Sequence, residues 1–161
     1  MTKGKREDFT PMGTGFRWEA MIFLTMWEWI EEKHGLETAK EIGTKAMEAA
    51  GIRLGKLMAE VWGNNDLASL KEAWETLYGS TETEWDGKRF VVHGRQCIIK
   101  NTYDLFEDIP ADRRAALDQM FCIGDQGFVN GFNPDIRFSF GGRLLRGDPE
   151  CVWIMEDPNG S

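Results

Sequence analysis

The sequence is poor in the residues that most often announce chemistry. It holds two histidines and three cysteines in 161 residues, and no Cys-x-x-Cys step occurs, so the spacing typical of structural zinc sites is missing. There is no excess of basic charge. The formal net charge is −8, which removes the electrostatic footprint of a nucleic-acid binder and disfavours an anionic membrane surface. No apolar run approaches the roughly 20 residues that a membrane-spanning helix needs; the most apolar stretch, residues 20–30, is interrupted by Glu28. Residues 1–8 are charged and lack the apolar segment of a secretion signal. Cys97, Cys122 and Cys151 are odd in number and scattered, which predicts free thiols in a reducing cytoplasm rather than a disulfide framework. Neither internal repeats nor low-complexity segments are present. A small molecule, or another protein, is the expected partner class.

What is there suffices for one domain. An apolar fraction of 42% over 161 residues supports a single core without staples. Residues 1–13 read as a flexible arm, 14–156 as one α+β domain and 157–161 as a tail. Phe16, Ala20, Phe23, Trp27 and Ile30 make a stripe at helical spacing, while Ile22, Met26 and Trp29 form a second apolar face. A helix apolar nearly all round is buried, or covered by a partner, and a homodimer is expected on that ground. A second helix is expected from residue 36, broken or bent at Gly51 and continuing to Trp62; Gly43, Gly51 and Gly55 leave room for a neighbour. Asp66 is a good N-cap for a third helix, which Gly79 stops.

The pattern then changes to period two. Asp86-Gly87 predicts a type I′ hairpin in which Glu84 faces Arg89 and Thr83 faces Phe90, with the second strand running on toward Cys97-Ile98-Ile99. Residues 100–110 read as a connection. A long helix is expected over residues 111–131, with Gly124, Gly127 and Gly131 marking close approach by another helix or a ligand. Ile136, Phe138 and Phe140 alternate as a strand, Gly141-Gly142 reads as a turn or bulge, and Cys151, Trp153 and Met155 share one face of the last strand. The expected architecture is α+β: N-terminal helices and a long C-terminal helix packed on an antiparallel sheet built from two hairpins.

Three stretches in the second half carry a family likeness: Cys-Ile-Gly-Asp-Gln-Gly from Cys122, Gly-Phe-Asn-Pro-Asp from Gly131, and Gly-Asp-Pro-Glu-Cys-Val-Trp from Gly147. In this order they resemble the L-2-amino-thiazoline-4-carboxylic acid hydrolase-like family and the related vinyl-4-reductase-type small-molecule-binding domains. The element order is also similar to the fold of transport-particle subunits. The resemblance implies a pocket between helices and sheet with cysteines near it: Cys122 on the helix, Cys151 on the last strand, Cys97 after the first hairpin. It implies either a small-molecule hydrolase, acting on a heterocyclic or amide-like carbon, or a non-catalytic sensor or binding domain.

Cys122 and Asp125, three apart on a helix, share a face, and Asp118 lies on the same side. A carboxylate stabilises a thiol rather than a thiolate, so Asp125 alone does not activate Cys122. His93 is the candidate general base. On the hydrolase reading Cys122, Asp125 and His93 are catalytic; Cys97, Cys151, Asp148, Arg95, Arg137 and Trp153 are substrate-binding candidates. Arg143 and Arg146 are further available partners for a carboxylate. Cys97, Cys122, Cys151 and His93 would together make a Cys₃His zinc set, and a bound metal ion would supply the cation that Cys122 otherwise lacks. The bland alternatives are a cysteine packed as a small hydrophobe and a solvated strand histidine.

Overall fold

The computed structural model describes residues 11–79, 82–104 and 111–159. The expected arm therefore lies largely outside the described residues, and Pro11 already belongs to a helix. Five helices and four strands follow in chain order: α1 Pro11–His34, α2 Leu36–Trp62, α3 Leu67–Tyr78, β1 Glu82–Trp85, β2 Arg89–Gly94, α4 Ile98–Tyr103, α5 Ala111–Phe132, β3 Arg137–Gly142 and β4 Cys151–Glu156. The strands form one antiparallel sheet in the order β1-β2-β4-β3. The two hairpins are thus fused through β2 and β4, and the α+β class holds. No helix among the described residues is long and apolar enough to cross a membrane.

The core has two apolar clusters, and α5 passes through both. Its first half gives Ala116, Leu117 and Met120 to a cluster with Leu24, Trp27, Ala39 and Tyr103. Its second half gives Phe128, Val129 and Phe132 to a cluster with Leu70, Trp74, Phe90, Val92 and Met155. Cys122 and Asp125 fall at the seam between the two.

The glycines explain how α5 is held. A Cβ on Gly51 would fall on the carbonyl oxygen of Gly124, and one on Gly55 on that of Phe128. From the other side, Gly127 and Gly131 face the carbonyls of Glu48 and Ile52. Backbone lies on backbone, as small residues permit. Gly51 accordingly does not break α2: it is a contact point in one continuous helix of 27 residues, and the stabilisation from close packing offsets the propensity cost of about 1 kcal/mol for a helical glycine.

Two local expectations are corrected. The first hairpin pairs Trp85 with Phe90 and Glu84 with Val91, two residues away from the expected register. Gly87 takes a positive φ of 93°, whereas no described non-glycine residue does, so the central pair is Gly87-Lys88 in the type II′ pattern. Asp86 fixes this shift, because its Oδ1 accepts from the backbone N–H of Lys88 (2.8 Å) and of Arg89 (2.7 Å). Arg89 then pairs with Glu156 at 3.5 Å instead of Glu84. Second, β2 ends at Gly94, and Ile98-Ile99 begin α4. Cys97 caps that helix, its Sγ accepting from the Lys100 N–H at 3.4 Å.

On α1, Trp27 is buried at 2% exposure, while Trp29 is 61% exposed. Trp18, Ile22 and Met26 are exposed with it. The second apolar face read from the sequence points to solvent.

Candidate active site

Asp125 sits at the middle of α5, facing the end of α3 and the inner face of β4. The indole Nε1–H of Trp153 donates to its Oδ2 at 2.8 Å, and the Tyr78 hydroxyl, at 3.5 Å, approaches its Oδ1. Trp153 is aimed by the sheet. Its ring lies over Gly94, where a Cβ would come within 2.5 Å of the indole. Burial pushes the Asp125 carboxyl up to about 6, against the opposing pull of the two donors. A carboxyl in that range exchanges protons near neutrality. Burial and then Asp125 push the Tyr78 hydroxyl well above its ordinary value, so it remains a donor.

The three thiols gather behind one cleft. An open hollow of about 650 Å³ is lined by Lys100, Ala115, Asp118, Gln119, Leu144, Leu145, Arg146 and Gly147. None of the cysteines lines it, yet each is one hydrogen bond from a residue that does. Cys97 Sγ accepts from the backbone N–H of Lys100, and Cys151 Sγ from that of Leu144 at 3.3 Å. The Cys122 S–H donates to Asp118 Oδ1 at 3.5 Å. All three are free. Burial, then Asp125 and Asp118, raises Cys122 far above the ordinary thiol range. Burial pushes Cys151 up to about 11 and also raises Cys97. The negative field of Asp125 acts on all three in the same direction. These are neutral thiols, and Cys122 is not a resting nucleophile.

Asp118 is the hub at the floor of the cleft. Its side chain is 2% exposed and takes Arg146 Nε at 2.8 Å and Arg143 Nη1 at 3.2 Å. The spacing Asp118, Cys122, Asp125 is i, i+4, i+7, a single helix face.

The remaining sequence candidates go elsewhere. His93 pairs in register with Val152, so strand alternation sets it on the opposite sheet face from Cys151 and Trp153. Its ring nitrogens face Glu84 and Glu150, each at 3.3 Å, and not Cys122. With His93 on the far face, the Cys₃His set is not assembled. No group of three or more His, Cys, Asp and Glu among the described residues is arranged to hold a metal ion. Arg95 is 77% exposed and pairs with Glu82 at 3.1 Å. Arg137 is exposed on the outer face, opposite Glu156. Asp148 pins the loop instead of meeting the cleft: its Oδ2 accepts from the Arg143 N–H at 2.7 Å. Tyr78 was not among the sequence candidates; its position directly before the helix-ending Gly79 was the available sign.

The architecture defines an α+β domain with a polar cleft beside its long helix. Residues 15–154 match the family model of L-2-amino-thiazoline-4-carboxylic acid hydrolase, and the chain belongs to that family. The match bears on the first of the two families that the sequence resembles, and it gives the protein a hydrolase-like character in general terms. No curated protein matches the chain.

Proposed function

We propose that the protein hydrolyses a small heterocyclic, thiazoline-like or amide-like substrate, with Asp125 as its general base. The observation that carries this reading is the placement of Asp125 on the α5 face it shares with Asp118 of the cleft, its carboxyl oriented by Trp153 and Tyr78 and raised by burial to about 6. Ionised, it accepts a proton from water as the water oxygen bonds to an amidine- or amide-type carbon. The tetrahedral adduct then loses its C–N or C–S bond, and the same proton passes from Asp125 to the departing nitrogen or sulfur. The neutral thiols of Cys97, Cys122 and Cys151 stand behind the cleft as soft, uncharged packing and leave the proton work to Asp125.

The test is the pH profile of ring opening with L-2-amino-thiazoline-4-carboxylate. The rate should rise as pH passes through about 6, because the base form is required. Asp125→Asn should lower kcat by roughly 10²–10⁴-fold, the usual worth of a general base, and flatten the profile. Full activity in Asp125→Asn would overturn the assignment. The second reading, a non-catalytic binding or sensor domain, is favoured by one observation, that none of the thiols is held as thiolate. It predicts saturable binding of the same compound with no turnover.

A homodimer through α1 belongs to this reading. Trp18, Ile22, Met26 and Trp29 form a stripe whose order, two tryptophans outside two aliphatic side chains, complements itself when two copies run antiparallel. Sedimentation at micromolar concentration should give a dimer, and Trp29→Glu a monomer.

A further inference from the structure

Arg143 and Arg146 share one buried carboxylate. Asp118 neutralises one guanidinium, so the trio keeps a formal surplus of one positive charge; across the cleft, Lys100 is paired with Asp104. That surplus stands in a chain whose net charge is −8. The two arginines differ in reach. Arg143 is the inner one, 12% exposed, with its guanidinium over the Phe140 ring at 5.1 Å. Arg146 is 54% exposed and lines the cleft. It donates Nε to Asp118, and among the described residues no acceptor meets its two terminal nitrogens.

Arg146 is also preset. It ends a single 3₁₀ turn, Leu144–Arg146, in which its N–H donates to Arg143 O at 2.9 Å and Gly147 closes the turn at φ 96°. Asp148 ties the start of that turn. A guanidinium fixed at Nε, with its outer nitrogens directed away from that bond, suits two parallel bonds to a carboxylate, and little side-chain freedom remains to be lost on binding.

We propose that Arg146 is the anion-docking residue of this cleft, receiving the carboxylate of a small monoanionic ligand, with Asp118 and Arg143 as its positioning residues. The proposal rests on the hydrolase reading for the kind of molecule, while its charge pattern stands on the cleft alone. Two terminal nitrogens without an acceptor among the described residues match the two oxygens of a planar carboxylate.

The experiment is calorimetric titration of the full chain with thiazolidine-4-carboxylate and with its uncharged parent thiazolidine, neither of which carries the amidine carbon to be attacked. Wild type should prefer the acid by roughly 10–100-fold, the worth of a charge-assisted pair. Arg146→Gln should lose the preference while melting near wild type, since its side chain is half exposed, and Arg146→Lys should retain part of it. Equal binding of the two compounds by wild type, an undiminished preference in Arg146→Gln, or tighter binding of inorganic phosphate than of the acid would each overturn the proposal. Turnover is scored separately. Acid preference through Arg146 without any hydrolysis sinks the hydrolase and leaves the docking site; hydrolysis with undiminished preference in Arg146→Gln does the reverse.

Discussion

Asp118 and Asp125 stand seven residues apart on one helix face, and their surroundings could hardly differ more. Asp118 faces the cleft and is enclosed by two guanidinium groups and a thiol. Asp125 faces the sheet and is met by the neutral donors of a tryptophan and a tyrosine. On the proposed reading the first holds charge in position and the second exchanges a proton. Two identical side chains receive different roles because the partner that meets each comes from a distant part of the chain.

The largest expected stability effect tests the first half of that contrast. Asp118→Asn leaves Arg143 largely buried without a counter-charge and should destabilise the fold by about 3–5 kcal/mol, read by urea unfolding at pH 7. Asp125→Asn should cost far less. If the two variants lose equal stability, the contrast between the aspartates fails.

The second half is read through pH. The Asp125 carboxyl is raised from 3.8 to about 6 in the folded protein. Between these values the folded state binds more protons than the unfolded one. Its contribution to stability is therefore fully present below about 3.8 and lost as pH rises through about 6. Asp125→Asn should remove that dependence, so the variant gains on wild type as pH rises from 3.8 to about 6. A difference that is constant with pH would contradict the raised carboxyl.

Trp153→Phe removes the better of the two donors. It should cost about 1–3 kcal/mol and move the midpoint of the pH–rate curve to higher pH, since the indole bond opposes the upward shift. An unmoved midpoint would mean that Trp153 only packs. Cys122→Ala is the next smaller change, on the order of 1–2 kcal/mol in stability, and it should keep much more activity than Asp125→Asn, because the thiol is neutral. Complete loss of turnover in a folded Cys122→Ala would restore the nucleophile that the electrostatics argue against. Tyr78→Phe, acting on a contact of 3.5 Å, should change stability by less than about 1 kcal/mol and shift the midpoint upward by less than Trp153→Phe.

Much of the fold was legible because it depends on neighbours in sequence. The helical stripes, the Asp66 cap, the glycine stops and the period-two strands appear where local pattern put them, except that β2 stops at Gly94 and Ile98-Ile99 begin a helix. The turn at Gly87 was legible as a turn but not in its register, which the Asp86 side chain decides by capturing two backbone N–H groups. The inner face of β4, with Cys151 and Trp153, was readable from alternation. His93 was not, because a lone histidine on a strand gives no sign of which face its neighbours will cover.

By itself the sequence determined the α+β class, the single face of α5 that carries Asp118, Cys122 and Asp125, the glycines that let α2 and α5 touch, and the surplus apolar face of α1. These follow from helical and strand periods and from what glycine permits. The tertiary structure alone decided which donors reach Asp125, which arginines meet Asp118, and that the three thiols, far apart in the chain, end one hydrogen bond behind a common cleft. Those outcomes depend on how the β2–β4 pairing and the α2–α5 packing bring distant segments together, and no local period encodes that.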